Sequence, residues 1–201
     1  MSSSRAERTK LRIIDAANQL LLEAGYHSVG LEAVAAAAGV SRQTVYDRFG
    51  SKAGLLRAMI SRSEELAGLP ERLRNVSAQT DGLSMLRAML DTAAAVDPKV
   101  YAQSRLVYAA RLDDPVAADM WNWRLGSRRA GMGAIFKKLA AEGRLRPGIA
   151  EEAAADVAWA IASPHQYEYL VVERGWSLKR YRAHLEETIT ARLIMRSSKE
   201  L

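Results

Sequence analysis

The sequence predicts an all-α protein of about nine helices. Along most of its 201 residues, apolar side chains return every three or four positions, the period of a helix that buries one face. Alanine and leucine dominate while β-branched residues are few, so strand signals are scarce. Hydrophobic residues make up 49% of the chain and charged residues 26%, which suffices for a core and is ordinary for a globular protein.

Two helices are expected at the start of the chain. The first covers residues 8–24 and ends at Gly25, a residue type that commonly terminates helices. The second covers residues 31–38, where mostly small side chains let two short helices pack closely at a steep angle. Their apolar residues recur at helical spacing: Ile13, Ala17, Leu20, Ala24, Leu31, Val34, Ala35 and Ala38.

Residues 39–52 form the most informative segment of the chain. Gly39 suits a tight turn between helices, because glycine accepts a positive φ without steric cost. Ser41 is a favourable N-cap for the helix that follows. A step of 100° per residue places Val45 and Phe49 on the buried face of that helix and leaves a polar face outward. The pattern is typical of the recognition helix of a helix-turn-helix.

Residues 8–60 resemble the DNA-binding domain of the tetracycline-repressor (TetR) family of bacterial transcription regulators. The matching residues are Gly25-Tyr26, Val34-Ala35, Ala38-Gly39-Val40-Ser41, Thr44-Val45-Tyr46, Phe49, Ser51-Lys52 and Leu55. They agree at many fixed offsets over about a quarter of the chain, so the resemblance is specific. The chain departs from the family at Gly30, where a hydroxyl residue usually caps the second helix and approaches a phosphate. Glycine lacks that side-chain contact, so we expect no DNA contact there.

The recognition helix and the resemblance together indicate the DNA-binding residues. These are Arg42, Gln43, Thr44, Tyr46, Asp47, Arg48 and Lys52. The first three open the helix, where side chains reach base edges, and arginine suits guanine while glutamine suits adenine. The resemblance implies backbone contacts for Tyr46 and Lys52, and Lys52 lies in the first turn of the next helix, a position suited to a phosphate. Asp47 either accepts from cytosine or orients Arg42 or Arg48.

Prolines mark helix ends in the remainder of the chain. A residue before proline disfavours the helical conformation, so helices are expected to end near Asp97-Pro98 and at Asp113-Asp114-Pro115 and to break at Ser163-Pro164. After Leu69-Pro70 the helical pattern pauses. The helices expected after the recognition helix cover residues 51–68, 83–97, 101–112, 121–143, 151–173 and 178–195.

The chain is expected to divide into two functional domains. Residues 1–50 would form the helix-turn-helix domain, residues 51–68 a connecting helix, and residues 69–201 a helical effector-binding and dimerisation domain. In the resembled family the last two helices pair with those of a second subunit, and two-fold symmetry would match a palindromic operator. Periodicity alone is equally consistent with a monomeric core. The residues expected at the dimer interface are Val157, Ile161, Leu185, Ile189 and Leu193.

Methionine and aromatic residues concentrate in the middle of the C-terminal region. Core packing is the ordinary explanation for any one of them. The resemblance implies a pocket for a small apolar or amphipathic effector among these helices. The residues expected to line it are Met89, Tyr101, Arg105, Tyr108, Trp121 and Trp159. Arg105 would anchor an anionic or carbonyl-bearing ligand if its face is interior, and would otherwise pair with Asp113, Asp114 or Glu168.

Several function classes are disfavoured by composition. The chain has no cysteine, hence neither a disulfide nor a thiolate metal site or nucleophile. His165 and Glu168, three residues apart, are a weak metal signal, and no serine nucleophile motif or phosphate loop occurs. We therefore expect no enzymatic activity, no cofactor and no metal. Without a long apolar run or a signal peptide, a cytoplasmic location is expected.

The charge distribution favours DNA as a partner. The formal net charge is +6, and residues 1–62 carry nine basic against five acidic side chains, although a solvated surface would explain that surplus too. We expect a homodimeric DNA-binding transcriptional regulator, by family default a repressor that a small-molecule effector releases from a palindromic operator in double-stranded DNA; activation is also possible. The alternative is a helical ligand-binding or interaction protein whose helix-turn-helix-like segment is structural. The outward-facing Gln43, Tyr46, Arg48 and Lys52 argue against that alternative.

Overall fold

The backbone confirms the all-α prediction. The computed structural model describes residues 2–195, with side chains from residue 5 onward. Within residues 2–195 there are nine helices, if the three consecutive helical segments of residues 151–173 are counted as one, together with a single isolated antiparallel bridge between Leu145 and Ile194. The chain forms two compact units. The first contains the residues up to Leu66 together with Lys99–Arg124, and the second contains Ala67–Pro98 together with the chain from Leu125 onward.

The first unit begins with a small helical bundle. Its helices are α1 (Ser2–Ala24), α2 (Leu31–Ala37), α3 (Arg42–Phe49) and α4 (Lys52–Leu66). α1 packs against α2 and α4, and α3 packs against the same two helices. The buried stripe of α1 continues through Leu21, whereas Ala24, expected on that stripe, is exposed. Residues buried in this bundle include Ile13, Ala17, Leu21, Val34, Val45, Leu55, Leu56 and Met59.

A helix forms where the sequence pattern was expected to pause. Helix α5 covers Leu69–Ser77, and Pro70 lies in its first turn, where a missing N–H removes no helical hydrogen bond. Gly68 precedes it with φ 71°, a left-handed conformation that glycine adopts freely. Val76 is buried and gives the helix an apolar anchor. The predicted pause in the helical pattern after Leu69-Pro70 is wrong, because Pro70 lies in the first turn of a new helix and does not end one.

The predicted helix end at Asp97-Pro98 is also wrong. Helix α6 runs without interruption through Gly82–Ala110, with Pro98 inside it. A proline in a helix interior costs about 3 kcal/mol or more, because one hydrogen bond is lost and the ring crowds the preceding turn. Val96 and Val100 on either side are only 5% and 3% exposed. Their burial offsets much of that cost and keeps the helix continuous.

The C-terminal helices follow the predicted breaks. α7 covers Pro115–Ala141, α8 Glu151–Ile161, α9 Pro164–Tyr167, a π-helical segment Glu168–Glu173, and α10 Leu178–Leu193. The predicted stop before Pro115 and the break at Ser163-Pro164 are both confirmed, because each proline opens a new helix. In the second unit, α10 packs against α8 and against the π-helical segment.

An aspartate caps the start of α6. Asp81 Oδ1 accepts a hydrogen bond from the backbone N–H of Ser84 at 2.9 Å. Hydrogen bonds from the side chain and backbone of Ser84 hold the pKa of Asp81 below its ordinary value of 3.8. Because the folded pKa is lowered, the stabilisation is fully present above the unfolded pKa and is lost as the pH falls through the folded one.

We predict that Asp81→Ala lowers the free energy of unfolding by about 1 kcal/mol at neutral pH, since the first turn of α6 loses its cap. Asp81→Asn keeps a capping oxygen and should lose less. Urea denaturation of the three proteins at neutral and at acid pH measures both effects, and the gap between wild type and Asp81→Ala should narrow in acid. Equal stability at neutral pH would show that this cap contributes nothing.

Candidate nucleic-acid interface

The turn between α2 and α3 is fixed from both sides. Gly39 has φ 61°, which explains why glycine is needed at this position. Arg12 of α1 reaches across the turn, and its Nη2 donates to the carbonyl oxygens of Ala38 at 2.7 Å and of Gly39 at 3.3 Å. These carbonyls lie at the end of α2, where helical partners are lacking. The guanidinium therefore satisfies them and ties α1 to the turn.

Helix α3 begins at the predicted cap and buries one apolar face. The Ser41 side chain accepts a hydrogen bond from the backbone N–H of Thr44 at 3.1 Å. Val45 is fully buried and Phe49 is half-buried, as the sequence predicted. Gly50 follows with φ 71° and ends the helix. The cap and the buried Val45 determine which side chains of α3 face outward.

The outward face of α3 carries an ordered set of polar groups. Gln43 Nε2 donates to Asp47 Oδ1 at 2.6 Å, one helical turn away. Arg42 Nε lies 3.0 Å from Glu32 Oε1 of α2, and both side chains are exposed. Asp47 was expected to accept from cytosine or to orient Arg42 or Arg48, but its contact in the structure is with Gln43, and this bond orients the Gln43 side-chain amide. Exposed ion pairs of the Arg42–Glu32 kind contribute little to stability and release easily.

Tyr46 and Arg48 flank this face. Tyr46 is 57% exposed, which is unusual for a large aromatic side chain in a helix of a folded domain. Arg48 is exposed near the C-terminal end of α3. Neither side chain is required by the core, so both are available to a partner. Thr44 is half-buried, and its hydroxyl lies 2.8 Å from that of Ser41.

Lys52 is engaged within the fold. Its Nζ donates to the backbone carbonyls of Tyr26 and Val29, the second at 2.8 Å, and lies 4.2 Å from the centroid of the Tyr26 ring. Burial lowers the pKa of Lys52, while the nearby Asp114 carboxylate opposes that shift. Two of the three ammonium hydrogens are thus used inside the protein. A phosphate could be bound only through the third ammonium hydrogen. The geometry therefore indicates that the main role of Lys52 is structural.

A second contact joins the same turn to the start of α7. The Tyr26 hydroxyl donates to Asp114 Oδ2 at 2.5 Å, and burial together with this bond raises the pKa of Tyr26. Asp114 Oδ1 accepts from the backbone N–H groups of Val116 at 3.0 Å and Ala117 at 3.3 Å, so Asp114 also caps α7. From the sequence, Asp114 was expected at a helix stop and as one possible partner of Arg105, but not as a partner of Tyr26. Its position before Pro115 signalled the cap, but its partner 88 residues away had no local signal.

The six residues expected around an effector fall in both units. Tyr101, Arg105, Tyr108 and Trp121 belong to the first unit, and Met89 and Trp159 to the second. Tyr108 and Trp121 meet edge to face with ring centroids 5.1 Å apart. Arg105 is exposed, so the interior anchor considered for it is absent from this arrangement. Tyr108 and Trp121 pack as an aromatic pair within the first unit.

The residues expected at a dimer interface also divide into two sets. Leu185, Ile189 and Leu193 are 0–2% exposed, because they form the side of α10 that packs into its own chain. Val157 on α8 is 40% exposed, and Ile161 is partly exposed. Only the α8 residues are therefore open to a partner in this conformation. Periodicity identified the apolar stripe of α10 but could not tell an intramolecular contact from an intermolecular one.

The described residues contain neither a metal cluster nor a membrane-spanning helix. No group of three or more histidine, acidic or cysteine side chains there is arranged to hold a metal ion. His165 Nδ1 and Glu168 Oε2, the weak metal signal of the sequence, lie 3.9 Å apart as a pair on one helix turn. Among residues 2–195, no helix is long and apolar enough to cross a membrane.

The bundle and its outward-facing third helix define a helix-turn-helix domain. A family model described as bacterial regulatory proteins, tetR family, matches residues 13–59, which include all of α2 and α3 and about half of α1 and of α4. Residues 13–59 are thus similar to the N-terminal domain of the tetR family of bacterial regulatory proteins.

Named relatives support this placement. The HTH-type transcriptional regulator UidR of Escherichia coli (strain K12) is 27% identical over 104 residues, 52% of this chain and 50% of UidR. The HTH-type transcriptional activator FasR of Mycolicibacterium smegmatis is 32% identical over 82 residues, 40% of this chain and 36% of FasR. The chain thus matches about half the length of these curated relatives or less. The solved SmeT–triclosan complex has a TM-score of 0.76 at 21% identity, covering 94% of this chain and 93% of SmeT, and shares its fold.

We predict that Lys52→Ala lowers the free energy of unfolding by roughly 1.5–3 kcal/mol, because two charged hydrogen bonds to turn carbonyls are lost. Arg48→Ala removes an exposed cation four residues earlier and should change stability by less than about 0.5 kcal/mol. Chemical denaturation of both variants gives the comparison. If Lys52→Ala is as stable as wild type, the ammonium does not hold the turn. Phosphate binding would then be the better explanation for Lys52.

Proposed function

We propose that the protein is a cytoplasmic transcriptional regulator that binds a palindromic operator in double-stranded DNA as a homodimer and responds to a small-molecule effector. The observation that carries the proposal is the outward face of α3. Gln43, Tyr46 and Arg48 are exposed on a helix whose start is capped and whose opposite face is buried. A helix that served only to complete the bundle would not need this set. The family of the N-terminal domain supports the same function.

The start of α3 is suited to base recognition. A helix lying in the major groove presents its first residues to base edges. Gln43 can pair with adenine through both amide atoms, and its bond to Asp47 fixes the rotation of that amide. Arg42 can reach guanine once it leaves Glu32, an exchange of one exposed partner for another. Thr44 follows them in sequence and would contact a neighbouring base or sugar.

The flanks of α3 are suited to the DNA backbone. The Tyr46 hydroxyl and the Arg48 guanidinium are exposed on either side of the reading face, at positions that would meet the groove walls. Contacts of this kind set position and orientation without specifying sequence. Lys52 contributes indirectly, because it holds the α1–α2 turn against the start of α4.

A dimer would place two such helices in successive major grooves. The exposed surfaces of α8 and α10 carry small side chains that permit close approach of a second helix pair. The members of this surface are Ala153, Val157, Ala160, Ala183 and Ala191. We propose this surface as the interface, with Val157 as its largest apolar contact, in place of the buried residues of α10.

The direction of regulation follows from how an effector changes DNA affinity. Release by an effector gives a repressor, the mode we favour from the family resemblance, whereas FasR is described as an activator. The SmeT–triclosan complex supports the proposal that the C-terminal helices of this chain accept a small molecule. Selection of duplexes from a random library followed by a gel-shift tests DNA binding directly, and repeating it with the DNA upstream of the gene identifies the operator. Failure to select any sequence would contradict the proposal.

We predict that Gln43→Ala relaxes preference at one base-pair position in each half-site, with a loss of roughly 1–3 kcal/mol there. Arg48→Ala is the matched comparison: it should weaken binding to all sequences alike and reduce the slope of log affinity against log salt by about 1. Library selection and salt titration on both variants separate the two roles. If Gln43→Ala selects the same sequences as wild type, Gln43 does not contribute to base recognition.

We predict that Val157→Glu converts the dimer to monomer at micromolar concentration, because two carboxylates would be buried near the symmetry axis without partners. Ala109→Glu adds the same charge at an exposed position of α6 and should leave the dimer intact. Sedimentation equilibrium of the two variants and wild type gives the association state. A Val157→Glu dimer as tight as wild type would place the interface elsewhere.

A further inference from the structure

The rotation of the Gln43 side-chain amide is set by Asp47. Gln43 Nε2 donates to Asp47 Oδ1 at 2.6 Å, and both side chains are exposed on the outward face of α3. An ionised carboxylate can only accept hydrogen bonds, so the NH₂ group of the amide is the one that faces Asp47. The two ends of an amide have nearly the same shape, and only its hydrogen bonds distinguish one rotation from the other. The bond therefore gives the amide a defined polarity, with Oε1 directed away from Asp47.

This pair belongs entirely to α3. Arg42 of α3, by contrast, contacts Glu32 of α2, with its Nε 3.0 Å from Glu32 Oε1. Gln43 and Asp47 lie one turn apart on the same helix, so they move together wherever α3 moves. Exposed pairs at this spacing contribute little to the stability of a helix. Helix stability therefore does not account for the pair, whereas its place on the proposed reading face indicates a role in recognition.

The oriented amide is complementary to adenine. With one N–H engaged by Asp47, Gln43 still offers its second N–H as a donor and Oε1 as an acceptor. The major-groove edge of adenine presents the acceptor N7 and the N6 amino donor, which match these two groups. Guanine presents two acceptors there, N7 and O6, so Oε1 would face another acceptor. A free amide could rotate its NH₂ group towards guanine, but the bond to Asp47 opposes that rotation.

We propose that Asp47 is a specificity-determining residue that makes Gln43 select adenine over guanine at one position of each operator half-site. Asp47 acts through Gln43, and its negative charge further disfavours the acceptor-rich edge of guanine. This role rests on the proposed function, in which α3 enters the major groove, and it adds both the base that is selected and the residue that imposes the choice. It takes the place of the two roles expected for Asp47, acceptance from cytosine and orientation of an arginine.

The test is to sequence the duplexes that the full chain selects from a random library and to compare base preferences. The position read by Gln43 is the one at which Gln43→Ala loses its preference. At that position wild type should prefer adenine over guanine by about tenfold or more, and Asp47→Ala should reduce the ratio to about threefold or less, because a freed amide can also donate to guanine. Asp47→Asn should give an intermediate ratio, since its amide can turn either an oxygen or an NH₂ group towards Gln43.

Two further variants separate this role from a general effect of charge or structure. Glu23→Ala removes an exposed carboxylate from α1 of the same unit and should leave the ratio unchanged. In the double variant Gln43→Ala/Asp47→Ala, loss of Asp47 should not alter the base preference beyond the effect of Gln43→Ala alone, because the two residues act as one unit. Preferences at the other positions should remain those of wild type in Asp47→Ala, which shows that the variant is folded and binds in the same register.

An unchanged ratio of adenine to guanine in Asp47→Ala would overturn the inference, and Asp47→Asn decides if that variant does not fold. It would also be overturned if no position depends on Gln43, or if Asp47→Ala instead loses a cytosine preference elsewhere, which would mean that Asp47 contacts a base itself. If wild type selects no sequence at all, the proposed function fails and this role fails with it. If wild type selects an operator and Asp47→Ala keeps its full ratio, only the role of Asp47 is refuted.

Discussion

The burial of Val45 is the constraint on which the proposed DNA-binding face of α3 depends. A helix of eight residues turns each side chain 100° from the next, so one fully buried position determines the direction of all the others. The two ends of α3 leave little freedom to rotate around that anchor. Ser41 closes the first turn, and the loop before it is held by Arg12 of α1. Gln43, Asp47 and Arg48 are therefore presented to solvent as a consequence of packing on the other side.

The position of the Lys52 side chain is explained by backbone carbonyl oxygens that need hydrogen-bond donors. The turn between α1 and α2 leaves carbonyl oxygens without helical partners, and a half-buried ammonium would be costly without acceptors. The Lys52 ammonium donates to the carbonyl oxygens of Tyr26 and Val29, and the Tyr26 ring lies beneath the cation. Asp114 adds a nearby negative charge and connects the turn to the first residues of α7. The family resemblance implies a DNA-backbone contact for Lys52. In this structure Lys52 is also a structural element of the domain that presents α3.

Local pattern was sufficient for the helix-turn-helix. Gly39, Ser41 and Val45 act within a few residues of one another, so their roles could be inferred from spacing and confirmed by φ, cap and burial. Proline was a less dependable guide. Pro115 and Pro164 open helices as predicted, but Pro98 lies inside α6, where burial of its neighbours offsets much of the cost of the lost hydrogen bond. Tertiary packing decides whether a helix continues through a proline, and this packing cannot be deduced from the sequence pattern.

Long-range polar contacts were the part that could not be predicted. Asp97 was seen only as the residue before a proline, and Arg128 and Tyr181 were not selected for any site role. Arg128 of α7 donates to the Asp97 carboxylate 31 positions earlier in the chain, and Tyr181 of α10 packs edge to face against Tyr167. Likewise, the apolar stripe of α10 was correct as a stripe, yet it faces its own chain. Periodicity gives the face of a helix and leaves open what that face contacts.

The central claim, that α3 is the surface that meets DNA, is tested most directly by an NMR titration of the full chain with a selected duplex. We expect the largest shifts at the backbone amides of residues 41–48 and at the Gln43 side-chain amide, with a second set at the Tyr46 and Arg48 side chains. Large shifts confined to other helices, with α3 unchanged at saturating DNA, would contradict it.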